Sequence, residues 1–162
     1  YDTLSISCQT NSAISVSSFL LNKDFSLGHF HLNNRILFQH VSDKYYLRLP
    51  DLMLRHSLYY ENYLFKKALL LQVGFDLNYF TSYYAYAFMP ATSQYYLQDR
   101  RLIGNYPFID FFVNAVIGRA RLFFKTDHVN AGFLGNMYYN LYQYPNPDRA
   151  LYKLGISWSL LN

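Results

Sequence analysis

The feature that most restricts this chain is a strict alternation of apolar and polar residues, repeated over stretches of strand length. Between Phe65 and Phe80, Leu69, Leu71, Val73, Phe75, Leu77 and Tyr79 fall on one side, and Gln72, Gly74, Asp76 and Asn78 on the other. An extended chain points successive side chains to opposite faces, so this period reads as a strand with a greasy face and a wet one. The pattern recurs in Phe30, Leu32, Ile36 and Phe38 against His29, His31, Asn33, Arg35 and Gln39, although Asn34 interrupts the first face and Leu37 the second. It returns in Leu52, Leu54 and Leu58 against Arg55, Ser57 and Glu61, and in Ile109, Phe111, Val113, Ala115 and Ile117 against Asp110 and Asn114. Ala120, Leu122 and Phe124 oppose Arg121, Lys125 and Asp127, and Tyr152, Leu154, Ile156, Trp158 and Leu160 oppose Lys153, Gly155, Ser157 and Ser159.

Turn-forming residues divide these stretches at Thr10-Asn11-Ser12, Asn22-Lys23-Asp24, Ser42-Asp43-Lys44, Glu61-Asn62, Gly118 and Tyr144-Pro145-Asn146-Pro147-Asp148. About eight strands are expected, near 2–9, 13–21, 26–41, 51–61, 66–82, 107–117, 119–130 and 149–161. Their connections alternate in length: 22–24, 62–65 and Gly118 are tight, 42–50, 83–106 and 131–148 are long, and 10–12 is the exception. Short turns at one end and long loops at the other are the asymmetry of an outer-membrane barrel.

No apolar run approaches the roughly 18 residues of a spanning helix. The charged fraction, 15%, is low, while aromatics reach 20% with 18 Tyr and 14 Phe. A net charge of +4 without a basic run longer than two residues argues against nucleic acid as a partner. The single cysteine, Cys8, allows no internal disulfide. Two readings fit an apolar, Tyr-rich all-β chain: a soluble barrel with its greasy face inward, or a transmembrane barrel with that face in lipid. Tyrosines cluster at expected strand ends, where an amphipathic ring suits a membrane interface. From these, Tyr59, Tyr60, Tyr79, Tyr106 and Tyr152, together with Trp158, are the expected interface aromatics.

From about Pro50 onward the chain resembles the putative porins of Bacteroidota. The stretches that carry the resemblance are Leu49-Pro50-Asp51, Ser57-Leu58-Tyr59-Tyr60-Glu61-Asn62-Tyr63-Leu64-Phe65-Lys66-Lys67, Tyr95-Tyr96-Leu97-Gln98, Ile103-Gly104-Asn105-Tyr106-Pro107, Arg119-Ala120-Arg121, Asp127-His128-Val129-Asn130, Tyr144 to Arg149 and Leu154-Gly155-Ile156-Ser157-Trp158. The resemblance implies an antiparallel transmembrane β-barrel in the outer membrane of a Gram-negative cell, of which residues 1–162 would be the C-terminal part. It implies lipid and small hydrophilic solutes as partners, and the barrel-insertion machinery during assembly. The last residue, Asn162, departs from the terminal Phe of many such barrels and leaves the assembly signal to Trp158 and Leu160.

With the apolar face in lipid, the charges of the opposite face point into the lumen, since Arg or Lys facing mid-bilayer costs about 2–4 kcal/mol. The expected pore-lining residues are Arg35, Arg55, Asp76, Asp110, Arg119, Arg121, Lys125, Asp127 and Lys153. With Glu61 counted, they carry a slight cationic excess and a weak preference for anions. His29 and His31, two apart, would share a strand face without a third metal ligand nearby, so no metal is expected. His56 beside Ser57, and His128 beside Asp127, point to opposite faces and cannot pair for catalysis. No catalytic residue and no cofactor is expected. Segments 83–106 and 131–148 mix Tyr and Asn in a way that suits sugar binding or an inward constriction. The expected function is passive diffusion of small hydrophilic solutes. A non-conducting structural or docking barrel, filled by its own side chains, is the alternative, and a soluble barrel holding an apolar ligand the second.

Overall fold

The structure, a computed structural model, describes residues 11, 13–133, 139–147 and 149–159. Eleven strands follow in chain order: β1 Val16–Leu27, β2 Phe30–Val41, β3 Leu52–Leu64, β4 Leu69–Phe80, β5 Ala87–Met89, β6 Gln94–Tyr96, β7 Phe108–Ile117, β8 Ala120–Asp127, β9 Tyr139–Leu141, β10 Tyr144–Pro145 and β11 Leu151–Trp158. Seven of them form one antiparallel sheet in the order β1-β2-β3-β4-β7-β8-β11. β5 with β6, and β9 with β10, are small hairpins inside the long loops. The sheet is open in this segment, with β1 and β11 at its edges. No helix occurs among the described residues. A strand of 12 residues, the length of β1, β2 and β4, extends roughly 40 Å, which at the tilt of a barrel strand matches the hydrocarbon thickness.

The alternation of connections survives, but its first turn moves. Asn22-Lys23-Asp24 lies inside β1, paired with Arg35, Asn34 and Asn33 of β2, and the chain reverses instead at Gly28-His29. Gly28 has φ +60 and stands first in a two-residue connection closed by the Leu27–Phe30 pair. A hairpin turn whose first central residue needs positive φ selects glycine there, whereas a polar trio can continue a ladder. The expected strand 26–41 is therefore cut at Gly28, and 13–21 becomes Val16–Leu27. Gly118, φ +57, closes β7 to β8 in the same way.

Strand 66–82 starts late, at Leu69, because Phe65, Lys66 and Lys67 all take positive φ in the turn after β3. Strand 119–130 shortens to Ala120–Asp127, since His128 also has positive φ. Strand 2–9 and Cys8 lie outside the described residues, as do Leu160 and Asn162. The short turns are then 28–29, 65–68 and 118–119, and the long loops 42–51, 81–107 and 128–150.

No second layer packs on the sheet among the described residues. Leu27 is 84% exposed, Leu154 78% and Trp158 63%. Apart from Gly74 in the middle of β4, the buried residues sit among the long loops and the strand ends beneath them, among them Val41, Ala85, Ala87, Leu97, Ile103 and Tyr106, with the polar Arg48, Gln98, Thr126, His128 and Asn130.

Candidate functional site

Register turns the alternation of single strands into two continuous faces. One row on the apolar side runs Phe25, Leu32, Leu58, Phe75, Phe111, each the cross-strand partner of the next. The next row runs Leu27, Phe30, Tyr60, Val73, Val113, Phe124, Leu154. Phe75 and Phe111 bring ring centroids to 5.2 Å, and Phe30 and Tyr60 to 5.3 Å. This face is broken by one cross-strand row of polar residues, Lys23, Asn34 and His56, and by Asn62, Thr126 and the Ser17–His40 pair nearer its ends. His56 Nδ1 lies 2.7 Å from Asn34 Oδ1, and the Asn34 amide donates to the Lys23 carbonyl at 2.9 Å.

The opposite face collects the polar side chains. Ser57 donates to Asp76 at 2.6 Å, Gln72 to Glu61 at 2.8 Å and Asn114 to Gln72 at 3.0 Å, binding β3, β4 and β7 along the wall. On β7, β8 and β11 the charges form a ladder. Lys125 Nζ is 2.9 Å from Asp110 and 3.4 Å from Asp127, and Asp127 also pairs with Lys153. Two glycines on this face leave no room for a side chain. A Cβ on Gly74 would fall 2.5 Å from Tyr59 Cβ and from the Leu58 carbonyl, and one on Gly155 would collide with the Phe123 ring.

Most of the expected wall residues share this face: Arg35 on β2, Arg55 on β3, Asp76 on β4, Asp110 on β7, Arg121, Lys125 and Asp127 on β8, and Lys153 on β11. Arg119 does not belong to the wall, because it occupies the turn 118–119. Asp24, expected in a turn, belongs to it instead, opposite Asn33. The cationic excess disappears with these two changes: Arg35, Arg55, Arg121, Lys125 and Lys153 stand against Asp24, Glu61, Asp76, Asp110 and Asp127, five against five.

The expected interface aromatics separate. Tyr60 and Trp158 lie on the apolar face toward the short turns, and Tyr79 and Tyr152 on that face toward the long loops. Tyr59 is on the polar face, stacked on His31 at 5.0 Å. Tyr106 is 7% exposed in a loop, its hydroxyl 2.8 Å from His128 Nε2 and 3.2 Å from the Asn130 carbonyl oxygen. Neither of the two belongs to a girdle. The histidines His29 and His31 also part, His29 lying in the turn with Nδ1 3.1 Å from the Glu61 carbonyl and His31 bonding Ser26.

What the alternation could not reveal is how the long loops interlock. Arg48, 5% exposed, donates to the Gln98 carbonyl and pairs with Asp99 at 2.6 Å, tying loop 42–51 to loop 81–107. Tyr86 donates to the Tyr46 carbonyl at 2.6 Å. Gln143 of the third loop exchanges two hydrogen bonds with the backbone of Phe88, and the Arg101 guanidinium lies 4.0 Å from the Tyr139 ring centroid. The third loop also reaches the end of the wall, where Asn146, Pro147 and Arg149 border a cavity of about 350 Å³ together with Asp110 and Asp127. Burial pushes the Tyr83 hydroxyl above its ordinary pKa in the second loop. No group of three or more metal-ligating side chains converges among the described residues.

A family model described as "Putative porin" matches residues 1–162. Neither the curated proteins nor the solved structures contain a significant match.

Proposed function

Because the chain belongs to the putative porin family, we propose that its seven-stranded sheet is part of the wall of an outer-membrane pore through which small hydrophilic solutes diffuse passively. The carrying observation is the single register that gives this sheet one largely apolar face and gathers its charges on the other. In lipid, backbone groups must be satisfied within the ladder, which favours a closed barrel over any open sheet. The polar face then lines water, where its charges are solvated, and the apolar face meets lipid without needing a second protein layer. Trp158 and Tyr60 toward one end, with Tyr79 and Tyr152 toward the other, suit the two interfaces. Lipid, solutes and the insertion machinery are the partners this reading requires. It needs no cofactor and no catalytic residue.

Selectivity in this reading does not come from net wall charge, which is balanced. It comes from which charges are already paired, and the five cations differ in that respect. Lys125 and Lys153 are held by Asp110 and Asp127. Arg35, Arg55 and Arg121 are not part of any ion pair among the described residues, so a weak anion preference is assigned to them, above all to Arg35 and Arg55, which stand directly opposite each other.

The interlocked long loops favour a second reading, a barrel closed at that end. Planar-bilayer recording of the full-length protein decides between them. Discrete ohmic steps are expected for an open pore. Silence from protein shown to be folded and inserted would overturn it in favour of a plugged, structural barrel.

A further inference from the structure

One row of the polar wall is built differently from its neighbours. Across β1 to β4 the register sets Asn22 opposite Arg35, Arg35 opposite Arg55, and Arg55 opposite Asn78. Like charges directly opposite each other on a sheet repel, and neither arginine has an ion-pair partner among the described residues. The row consists of donors at its centre and amides at its ends. Two guanidinium forks side by side match the two oxygens of a carboxylate, which would relieve the repulsion.

The rows on either side differ in character. Toward the short turns lies Asp24, Asn33, Ser57 and Asp76, with a carboxylate at each end and Asp76 engaged by Ser57. These carboxylates repel an anion from that side. Toward the long loops lies an apolar row, Leu20, Leu37, Met53 and Phe80, on a face that is otherwise mixed or polar. Leu20 is 45% exposed and Met53 41%, so the described loops do not cover this row. Two residues along a strand separate it from the arginines, about 7 Å. A recess of about 300 Å³ spans both rows, bordered by Arg35, Leu37, Met53, Arg55, Asn78 and Phe80.

We propose that Arg35 and Arg55, with Leu37, Met53 and Phe80 beside them, bind an organic carboxylate that carries an apolar group, the carboxylate on the guanidiniums and the apolar part on the neighbouring row. The site rests on the reading above only in that its wall faces water; it narrows the solutes from hydrophilic molecules in general to amphipathic organic acids.

Phenylacetate is the probe, with acetate and the neutral phenylacetamide as its two halves. Full-length protein refolded in detergent, with folding checked by heat-shifted gel mobility, is titrated with each by calorimetry. Phenylacetate is expected to bind about tenfold more tightly than acetate, because its ring leaves water, and phenylacetamide to give no saturable signal. Arg35→Gln or Arg55→Gln should abolish phenylacetate binding. Where a glutamine variant does not fold, Arg55→Lys keeps the charge but loses the fork and should weaken binding several-fold. Met53→Ser should reduce phenylacetate to the level of acetate and leave acetate unchanged. Equal binding of phenylacetate and acetate, saturable binding of phenylacetamide, or phenylacetate binding that survives the arginine substitutions would each overturn the site. The same preparations are then placed in bilayers. Binding without conductance keeps the site and removes the pore, whereas conductance without phenylacetate binding removes the site alone.

Discussion

The two halves of the polar wall hold the same kinds of charge and treat them in opposite ways. On β7, β8 and β11, Asp110, Lys125, Asp127 and Lys153 alternate in sign and neutralise one another within hydrogen-bonding distance, and Arg121 alone stands outside this ladder. On β2 and β3, Arg35 and Arg55 face each other with no acid between them. A tally of the charges on this face treats these halves alike. Pairing separates them, since a cation already held by two carboxylates offers little to a passing anion, while a like-charged pair gains from meeting one. The halves meet at the row Tyr59, Gly74, Phe112, where Tyr59 leans across the glycine to within 6.4 Å of Phe112.

The comparison breaks most sharply if the ladder is stripped of its acids. The double variant Asp110→Asn, Asp127→Asn should lower stability by about 2–4 kcal/mol, at about 1–2 kcal/mol for each carboxylate whose partly solvated contacts to lysine lose their charge, read from the urea midpoint of refolding. It should also turn reversal potentials toward anions, because Lys125 and Lys153 become free; an unchanged potential would mean that the ladder does not face the conducting path. A smaller destabilisation is expected at the seam. Gly74→Val places a branched side chain against Tyr59 Cβ and the Leu58 carbonyl and should cost about 1–3 kcal/mol by overpacking, whereas Gly28→Asn, in a turn where an added Cβ meets nothing within 4 Å, should cost less.

In the arginine half the sign should reverse. Arg55→Gln removes one of two opposed charges and should leave stability unchanged or raise it by up to about 1 kcal/mol, while anion preference falls. A destabilisation as large as that of the ladder variant would show that Arg55 has a structural partner. The smallest effect is that of salt. Raising ionic strength from about 0.1 M to about 1 M shortens the screening length from roughly 10 to 3 Å. Anion preference should fade in the native protein with little change in its urea midpoint, because the charges that set preference are exposed and those that set stability touch their partners.

How much of this is legible in the sequence follows from what a period of two records. It marks the strands, their faces and the alternation of short and long connections, because each depends only on neighbours along the chain. It misplaces the first hairpin because Asn22-Lys23-Asp24 has turn composition, and only the continued alternation of Phe19, Leu21, Phe25 and Leu27 and the glycine at position 28 show that the strand runs on. That single slip takes Asp24 off the wall. Arg119 joins the wall by parity alone, because parity continues through a turn on paper and not in space. Tyr59 has the parity of Arg55 and Ser57 and is legible as a polar-face residue, but its place beside Tyr60 in a run of tyrosines draws it to the interface. Arg48, Gln98 and the Tyr106–His128 hydrogen bond leave no periodic trace, since they join loops far apart in sequence. The Arg35–Arg55 opposition needs the register of β2 on β3, which no single strand contains.

The order β1-β2-β3-β4-β7-β8-β11 has one more consequence, for how the wall is made. Every strand of the sheet lies beside the strand that precedes or follows it in the main ladder, so no pairing within this sheet waits for a distant part of the chain. Contacts of this kind have low topological complexity, and the entropy of closing even the longer connections grows only with the logarithm of their length. Growth can proceed one hairpin at a time, each added strand finding its template already in place and presenting a fresh edge to the next.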